Sequence, residues 1–187
     1  PKIVSAESYE EAEEILDRYR DNLLGVISDV RYPKDGSVCP DAGIQLVEKI
    51  RHEVPDLNVV LQSSEPGNRE DARRLGVTFI NKNSPTLLDE LQSFMLTHFG
   101  FGDFVFRMPG GHVVGKAADM RQFAQVLKQI PAESLLYHTT RNHVSIWLRA
   151  RTEFELAEKL RPKTISDFGS IEDVRKYLVE AIEQSIE

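Results

Sequence analysis

Short apolar runs that alternate with helical patterns are the feature that most constrains the fold of the first half of this chain. The run Leu23–Ile27 has no polar alternation, which is typical of a strand covered on both faces in a parallel sheet. Similar runs begin at Ile3, Leu57 and Val77, and amphipathic patterns lie between them. This alternation predicts an α/β fold with a parallel sheet, right-handed crossovers and helices on both faces.

Two connecting segments border the ends of these predicted strands. The segment 34–41 contains Gly36 and Pro40 and is predicted to be a loop. Asn68, with Asp71 three residues later, is predicted to begin a short helix.

The pattern changes after residue 98. A strand is predicted over 103–107, a turn at Gly110-Gly111 and a second strand over 113–117, which together form a hairpin. From Asp119 onward the signals are helical to the end of the sequence.

This change of pattern predicts a domain boundary. We expect an α/β domain over residues 1–99 and a hairpin plus helical segment over residues 100–187. No linker rich in Ser, Gly or Pro separates the two, and four phenylalanines crowd the junction, so the second part is expected to pack on the first. These aromatic residues are Phe99, Phe101, Phe104 and Phe106.

The composition of the chain bears on its cellular compartment and on whether it binds nucleic acid or membrane. The formal net charge is -7, from 30 acidic and 23 basic residues, which argues against a general electrostatic affinity for nucleic acid or anionic membrane. Cys39 is the only cysteine, so an internal disulfide is excluded and a reducing compartment is favoured. No apolar run reaches membrane-spanning length. We expect a cytoplasmic protein without a membrane partner.

Polar side chains follow three of the predicted strands. Asp29, Ser63 and Lys82 each stand at the carboxyl end of an apolar run, the edge where ligands collect in open parallel sheets. A carboxylate acceptor, a hydroxyl donor and a lysine cation at one edge can hold a phosphoryl group. We therefore predict one cleft in which Lys82 is close enough to pair with Asp29. The alternative for Asp29 is an aspartate that only begins a turn.

The motifs around these residues resemble the response-regulator receiver domain. They are Ile27-Ser28-Asp29 with Tyr32-Pro33, Gln62-Ser63-Ser64-Glu65 and Asn81-Lys82, within residues 1 to about 98. The resemblance implies a flavodoxin-like doubly wound parallel sheet and a signalling role in a phosphorelay. It also implies a histidine kinase or small phosphodonor as partner.

The same resemblance gives each matching residue a role. Asp29 is the expected phosphoacceptor, Ser63 and Lys82 are expected to bind the phosphoryl group, and Phe79 is the expected switch aromatic. A Mg²⁺ ion would be held by Asp29 and the backbone carbonyl of Arg31.

Two departures from the receiver pattern affect that metal site. The segment between Pro33 and Gly43 is longer than usual, and only one predicted strand, at Ile3, precedes Asp29 where a receiver has two. The strand without a counterpart carries the acidic pair that completes the Mg²⁺ site, so we expect weak or absent Mg²⁺ binding. An unpaired strand edge would also favour association into a homodimer.

The second half is similar to the segment that follows the receiver-like domain in phosphoenolpyruvate synthase or pyruvate phosphate dikinase-related proteins. The residues that carry this similarity are Gly100–Asp103, Asn142–Leu148 and Arg151–Phe154. It implies a regulatory segment rather than an enzyme, fused to a carboxyl-terminal catalytic domain.

Other functions remain open from the sequence. A degenerate receiver could serve only as a docking or dimerisation surface. A DNA-binding response regulator is suggested by a run of basic residues, although glutamates interrupt it. His138 and His143 lack a cysteine or carboxylate at ligand spacing, so hydrogen-bonded histidines are expected rather than metal ligands. The basic residues are Arg141, Arg149, Arg151, Lys159, Arg161 and Lys163.

Overall fold

A computed structural model describes residues 2–161, 163 and 165–186. The chain divides into two compact units, residues 1–95 and residues 96–187. This division falls a few residues before the boundary predicted from the sequence. The predicted packing of the second part on the first stays a prediction, and each unit is described separately.

The first unit alternates strands and helices, with one short hairpin inserted. Its elements in chain order are α1 (Tyr9–Tyr19), β1 (Gly25–Asp29), β2 (Tyr32–Lys34), β3 (Ser37–Cys39), α2 (Ala42–Glu53), β4 (Asn58–Ser63), α3 (Asn68–Arg74), β5 (Thr78–Asn81) and α4 (Leu87–His98), whose last residues extend into the second unit.

A three-stranded parallel sheet organises this unit. Its strand order is β1-β4-β5, so β4 is central. The register places Asp29 opposite Gln62 and Ser63 opposite Asn81. The parallel sheet and its connecting helices confirm the α/β class predicted from the apolar runs. This register brings the carboxyl ends of all three strands to one edge.

The strand predicted at Ile3 is wrong. Residues 2–6 form neither helix nor strand, and Ile3 is 88% exposed. Without a partner on that side, β1 is an edge strand of the described sheet, and its Ile27 is 44% exposed. A short β-branched run forms a strand only when a neighbouring strand accepts it, because propensity alone does not supply the ladder.

The loop predicted over 34–41 is also wrong, because part of it is a hairpin. Tyr32 pairs with Cys39 and Lys34 with Ser37 in the antiparallel ladder of β2 and β3. The two residues between the strands, Asp35 and Gly36, have φ of 51° and 73°. Positive φ at both central residues is the geometry of a tight two-residue hairpin turn, for which Asp-Gly is a preferred pair.

The core of the first unit lies between the sheet and helices α1 and α2. Ser8 caps α1 with its side chain, which accepts from the backbone N–H of Glu11 at 3.2 Å. The buried side chains of this core include Leu16, Leu46, Val47, Ile50, Val59 and Leu61.

The second unit is a hairpin followed by helices. The hairpin is antiparallel, as predicted. After the end of α4, its elements are β6 (Phe104–Arg107), β7 (Val113–Ala117), α5 (Met120–Leu127), α6 (Ala132–Thr139), α7 (His143–Ala150), α8 (Phe154–Leu160) and α9 (Ile171–Ile186).

An aromatic cluster fills the core of this unit. The rings of Phe104 and Phe123 meet edge to face with centroids 4.8 Å apart, and Phe123 stacks on Trp147 at 5.0 Å. The guanidinium of Arg151 lies 3.7 Å from the centroid of the Trp147 ring and donates to the carbonyl of Gly102 at 3.0 Å. The phenylalanines of the hairpin are therefore core residues of the second unit.

None of the helices in the described part of the chain is long and apolar enough to cross a membrane.

Candidate functional site at the carboxyl edge of the sheet

Asp29 and Lys82 form an ion pair across the edge of the sheet. Asp29 is the last residue of β1 and Lys82 directly follows β5, with β4 between them. The Lys82 ammonium Nζ donates to the Asp29 carboxylate Oδ2 at 2.5 Å. The Lys82 side chain is 39% exposed and the Asp29 side chain 43%, so the pair is open to solvent and to a ligand. It is the contact expected from the positions of the two residues after apolar strands.

Backbone hydrogen bonds beyond the strands hold the two ends of this pair. The N–H of Val30 donates to the carbonyl of Gln62 at 3.1 Å, and the N–H of Lys82 donates to the carbonyl of Ser63 at 3.0 Å. Both bonds extend the parallel ladder by one residue past a strand end. The central strand therefore fixes the backbone on either side of the ion pair.

Helix α2 approaches the backbone of Asp29 so closely that only glycine fits. A Cβ atom on Gly43 would lie 1.9 Å from the Asp29 carbonyl oxygen, a distance that no real side chain tolerates. The Gly43 N–H donates to the carbonyl of Val30 at 2.9 Å, and Ser28 Oγ donates to the Asp29 carbonyl at 2.8 Å. This packing sets the direction of the chain as it leaves β1.

The Ser63 hydroxyl contacts the following loop and α3. Its Oγ accepts from the backbone N–H of Glu65 at 3.0 Å and from the Asn68 side-chain amide at 2.8 Å. Among the described residues, neither Asp29 nor Lys82 is a hydrogen-bond partner of this hydroxyl. The sheet thus brings Asp29 and Lys82 into contact, whereas Ser63 lies at the same edge with its hydroxyl engaged elsewhere.

Phe79 is partly buried in β5, and the Arg69 guanidinium lies over its ring. The guanidinium carbon of Arg69 is 5.0 Å from the centroid of the Phe79 ring, within the range of a cation–π contact. Phe79 also packs against the core that α1 and α2 share with the sheet. The residue expected to be the switch aromatic is therefore held on one side by Arg69, from the first turn of α3.

Tyr32 lies three residues beyond Asp29, at the start of the hairpin β2–β3. Burial is the main factor that raises the pKa of its phenol, and the negative charges of neighbouring groups, Asp29 among them, add to the effect. The phenol is therefore neutral at pH 7. It contributes no negative charge beside the Asp29–Lys82 pair.

The residues near Asp29 supply few protein ligands for a Mg²⁺ ion. In the part of the chain that the structure describes, no three His, Cys, Asp or Glu side chains are grouped so that they could hold a metal. Asp29 offers one carboxylate, which Lys82 occupies, and Arg31 could add only a backbone carbonyl. Mg²⁺ takes near-octahedral oxygen coordination, to which these residues would supply only the Asp29 carboxylate and the Arg31 carbonyl, so weak Mg²⁺ binding stays a prediction.

His138, which is buried, and His143, which is partly buried, form a hydrogen-bonded pair in the second unit. Their Nδ1 atoms are 3.0 Å apart, and the Arg107 N–H donates to His138 Nε2 at 2.8 Å. An acceptor at Nε2 places the proton of neutral His138 on Nδ1, so His138 donates to His143. Burial lowers the pKa of His138 to about 3 and that of His143 to about 4. Both are hydrogen-bonded structural histidines, as expected from the sequence.

Two of the basic residues that suggested DNA binding make contacts within the second unit. Arg149 is buried and pairs with Glu158, and Arg151 is the cation on Trp147. These contacts tie both guanidinium groups to the second unit, and DNA binding stays an untested alternative.

No protein-family model matches the chain, and no curated protein or solved structure matches it.

Sequence reasoning did not identify Asn68 and Arg69 as part of this site. Asn68 begins α3, as predicted, but the sequence did not indicate that its side chain donates to the Ser63 hydroxyl. The signal that could have found both residues is their distance along the chain. They lie five and six residues after Ser63, where a short loop brings the first turn of the next helix back over the strand end.

Proposed function

We propose that the chain is a receiver-like regulatory module of a phosphorelay, in which Asp29 accepts a phosphoryl group. The observation that carries this proposal is the solvent-accessible ion pair of Asp29 and Lys82 at the carboxyl edge of a parallel sheet. This edge is where open α/β sheets bind ligands. The flavodoxin-like fold belongs to the same proposal, and the α/β sheet with its helices is compatible with it.

The chemistry requires a nucleophile and a cation in contact, which the pair supplies. A carboxylate oxygen of Asp29 attacks the phosphorus of an acyl phosphate, the bond to the leaving carboxylate breaks, and that carboxylate departs as an anion. Lys82, already at 2.5 Å from the Asp29 carboxylate, offsets negative charge on the phosphoryl oxygens. Ser63 can donate its hydroxyl proton to one of those oxygens. Because few protein ligands are available for Mg²⁺, we expect the reaction of this chain to be slow.

The proposal includes the second unit because its sequence is similar to the segment that follows receiver-like domains in phosphoenolpyruvate synthase-related proteins. In that role the chain is a cytoplasmic regulatory part without catalysis of its own, and its output is the activity of a fused phosphotransferase. Its partners are a histidine kinase or small phosphodonor, and a second copy of the chain if the β1 edge dimerises.

A docking module is the second candidate. The donor set around Asp29 favours it, because one carboxylate already paired with a lysine is a weak metal site. In this alternative, Asp29 and Lys82 form a structural ion pair and the surface binds a partner without phosphorylation.

Labelling with acetyl phosphate, with and without Mg²⁺, distinguishes the two candidates. We expect slow incorporation of one phosphoryl group, detected by intact mass spectrometry and removed by hydroxylamine. Asp29→Asn should abolish this label, and Lys82→Ala should slow it by at least about tenfold. Asp35→Asn is a matched control, because Asp35 is an exposed aspartate in a turn whose positive φ asparagine also tolerates. Equal labelling of wild type and Asp29→Asn would contradict the proposal.

A further inference from the structure

Gln62 lies between Asp29 and Lys82 in the ladder of the parallel sheet. Its Cα partners are Asp29 on β1 and Ile80 on β5. Lys82 comes two residues after Ile80, and its N–H continues the ladder by donating to the Ser63 carbonyl at 3.0 Å. Because successive side chains along a strand point to opposite faces, this register places the side chains of Asp29, Gln62 and Lys82 on one face of the sheet.

The core residues of β4 agree with this assignment of faces. Val59 and Leu61 pack in the core that α1 and α2 share with the sheet, and α3 contributes to the same core. Ser63 follows in the same alternation, and Asn68 of α3 donates to its hydroxyl at 2.8 Å. Gln62 therefore lies on the other face, away from these three helices.

The ion pair of Asp29 and Lys82 crosses β4 at the level of Gln62. Neighbouring strands are about 4.8 Å apart, so the backbones of β1 and β5 are separated by two such spacings. The Lys82 Nζ nevertheless lies 2.5 Å from Asp29 Oδ2, so the two side chains meet over the central strand. Gln62 is the ladder neighbour of Asp29 on this face, and a glutamine side chain is long enough to span one strand spacing.

The amide of Gln62 is available to a ligand. Among the residues that the structure describes, none forms a hydrogen bond with this side chain, and its amide is not one of the polar groups buried without a partner. The residue is partly buried, so water solvates the amide beside the ion pair. A glutamine amide has two N–H donors and one carbonyl acceptor, and both donors can bind an anion.

We propose that the Gln62 amide donates a hydrogen bond to an oxygen of the phosphoryl group on Asp29. This inference rests on the proposed function of Asp29 and adds a residue that binds the transferred group. Lys82 offsets charge on the phosphoryl oxygens as a point cation, and Gln62 supplies a neutral donor from the adjacent strand. Hydrogen bonds to ionised groups are roughly twice as strong as neutral ones, so the bond stabilises the charge on the transferring group.

Three substitutions test this donor in the labelling reaction with acetyl phosphate. Gln62→Met keeps the length of the side chain and removes both donors, so the rate of labelling of Asp29 should fall by at least about tenfold. Gln62→Glu places a second carboxylate beside Asp29, and like-charge repulsion should slow labelling further. Gln92→Met is the matched control, because Gln92 is an exposed residue of α4, and its rate should equal that of wild type.

The side-chain amide signals of the ¹⁵N-labelled wild-type chain give a second measurement that does not depend on how a variant folds. Gln62→Met assigns the Gln62 signals by their loss, and Gln92→Met assigns those of Gln92. Acetyl phosphate should move one Gln62 amide proton downfield as label accumulates, and the Gln92 signals should stay in place. A residue with only a structural role would not give this change.

Each outcome decides the proposal. Labelling of Gln62→Met at the wild-type rate, or of Gln62→Glu at a rate equal to or above that of Gln62→Met, overturns the role of Gln62 while Asp29 remains a phosphoacceptor. Slower labelling of Gln62→Met with no movement of the wild-type Gln62 amide signals overturns it as well, because the defect is then structural. Absence of label from wild type overturns the proposed function and the role of Gln62 with it.

Discussion

At the scale of single residues, Gly43 is the position where the site tolerates least change. A Cβ atom there would lie 1.9 Å from the Asp29 carbonyl oxygen and 2.9 Å from Val30 Cα, and neither backbone atom can move without shifting the end of β1. We predict that Gly43→Ala lowers the free energy of unfolding of the first unit by roughly 3 kcal/mol. Urea unfolding followed by circular dichroism measures this loss.

Gly67→Ala is the matched control for that substitution. Gly67 has φ of -58°, and a Cβ atom there would meet nothing within 4 Å. Alanine is compatible with this backbone and restricts the unfolded chain, so stability should be unchanged or slightly raised. A loss of similar size in both variants would show that contact with Asp29 is not the reason Gly43 is required.

The sequence indicated the contact of Asp29 with Lys82 and the start of α3 at Asn68, but it did not indicate the contact of the Asn68 side chain with Ser63. The first two follow apolar runs, and the ends of parallel strands meet at one edge, so their proximity could be predicted. Asn68 has a side chain that caps helices as readily as it bonds a distant hydroxyl. Which of these it does depends on where the loop 64–67 places α3, and that is a property of tertiary packing.

At the scale of elements, the turn between β6 and β7 contains two adjacent glycines with different backbone φ angles. Gly111 has φ of 89°, and its N–H donates to the Met108 carbonyl at 2.8 Å. Gly110 does not have positive φ, and neither glycine has a neighbour that a Cβ atom would meet. We predict that Gly111→Ala destabilises the second unit by about 1 kcal/mol, the cost of a left-handed residue with a side chain, whereas Gly110→Ala does not. Differential scanning calorimetry of the pair tests this, and equal melting temperatures would refute it.

Element prediction failed where the outcome depended on a partner strand or on turn chemistry. The run at Ile3 has the composition of a strand, but no described neighbour forms a ladder with it, and composition cannot show that. The segment 34–41 contained the Asp35-Gly36 signal of a two-residue hairpin turn, which the nearby proline obscured. The parallel strands β1, β4 and β5 were predictable because long helical patterns separate their apolar runs.

At the scale of the whole molecule, the hydrogen-bonded pair of His138 and His143 makes the free energy of unfolding depend on pH. The pKa values of His138 and His143 are about 3 and about 4 in the folded state, whereas an unfolded histidine titrates near about 6.5. As the pH falls below about 6.5, the unfolded chain binds protons that the folded chain does not. The contribution of these two histidines to the free energy of unfolding is therefore present at neutral pH and is lost progressively as the pH falls from about 6.5 to about 4 and below.

The positive charges around the pair reinforce this loss on acidification. Arg107 and Arg141 lower the pKa of His138 beyond the effect of burial, and Arg141 also lowers that of His143. Each histidine contributes up to about 1.4 kcal/mol per pH unit in this range. We predict that urea midpoints fall between pH 7 and pH 5, and that His143→Gln reduces the dependence while the exposed His112→Gln leaves it unchanged. A urea midpoint that stays constant over this range, or an equal effect of the two substitutions, would show that the histidine pair is not the cause of the loss of stability at low pH.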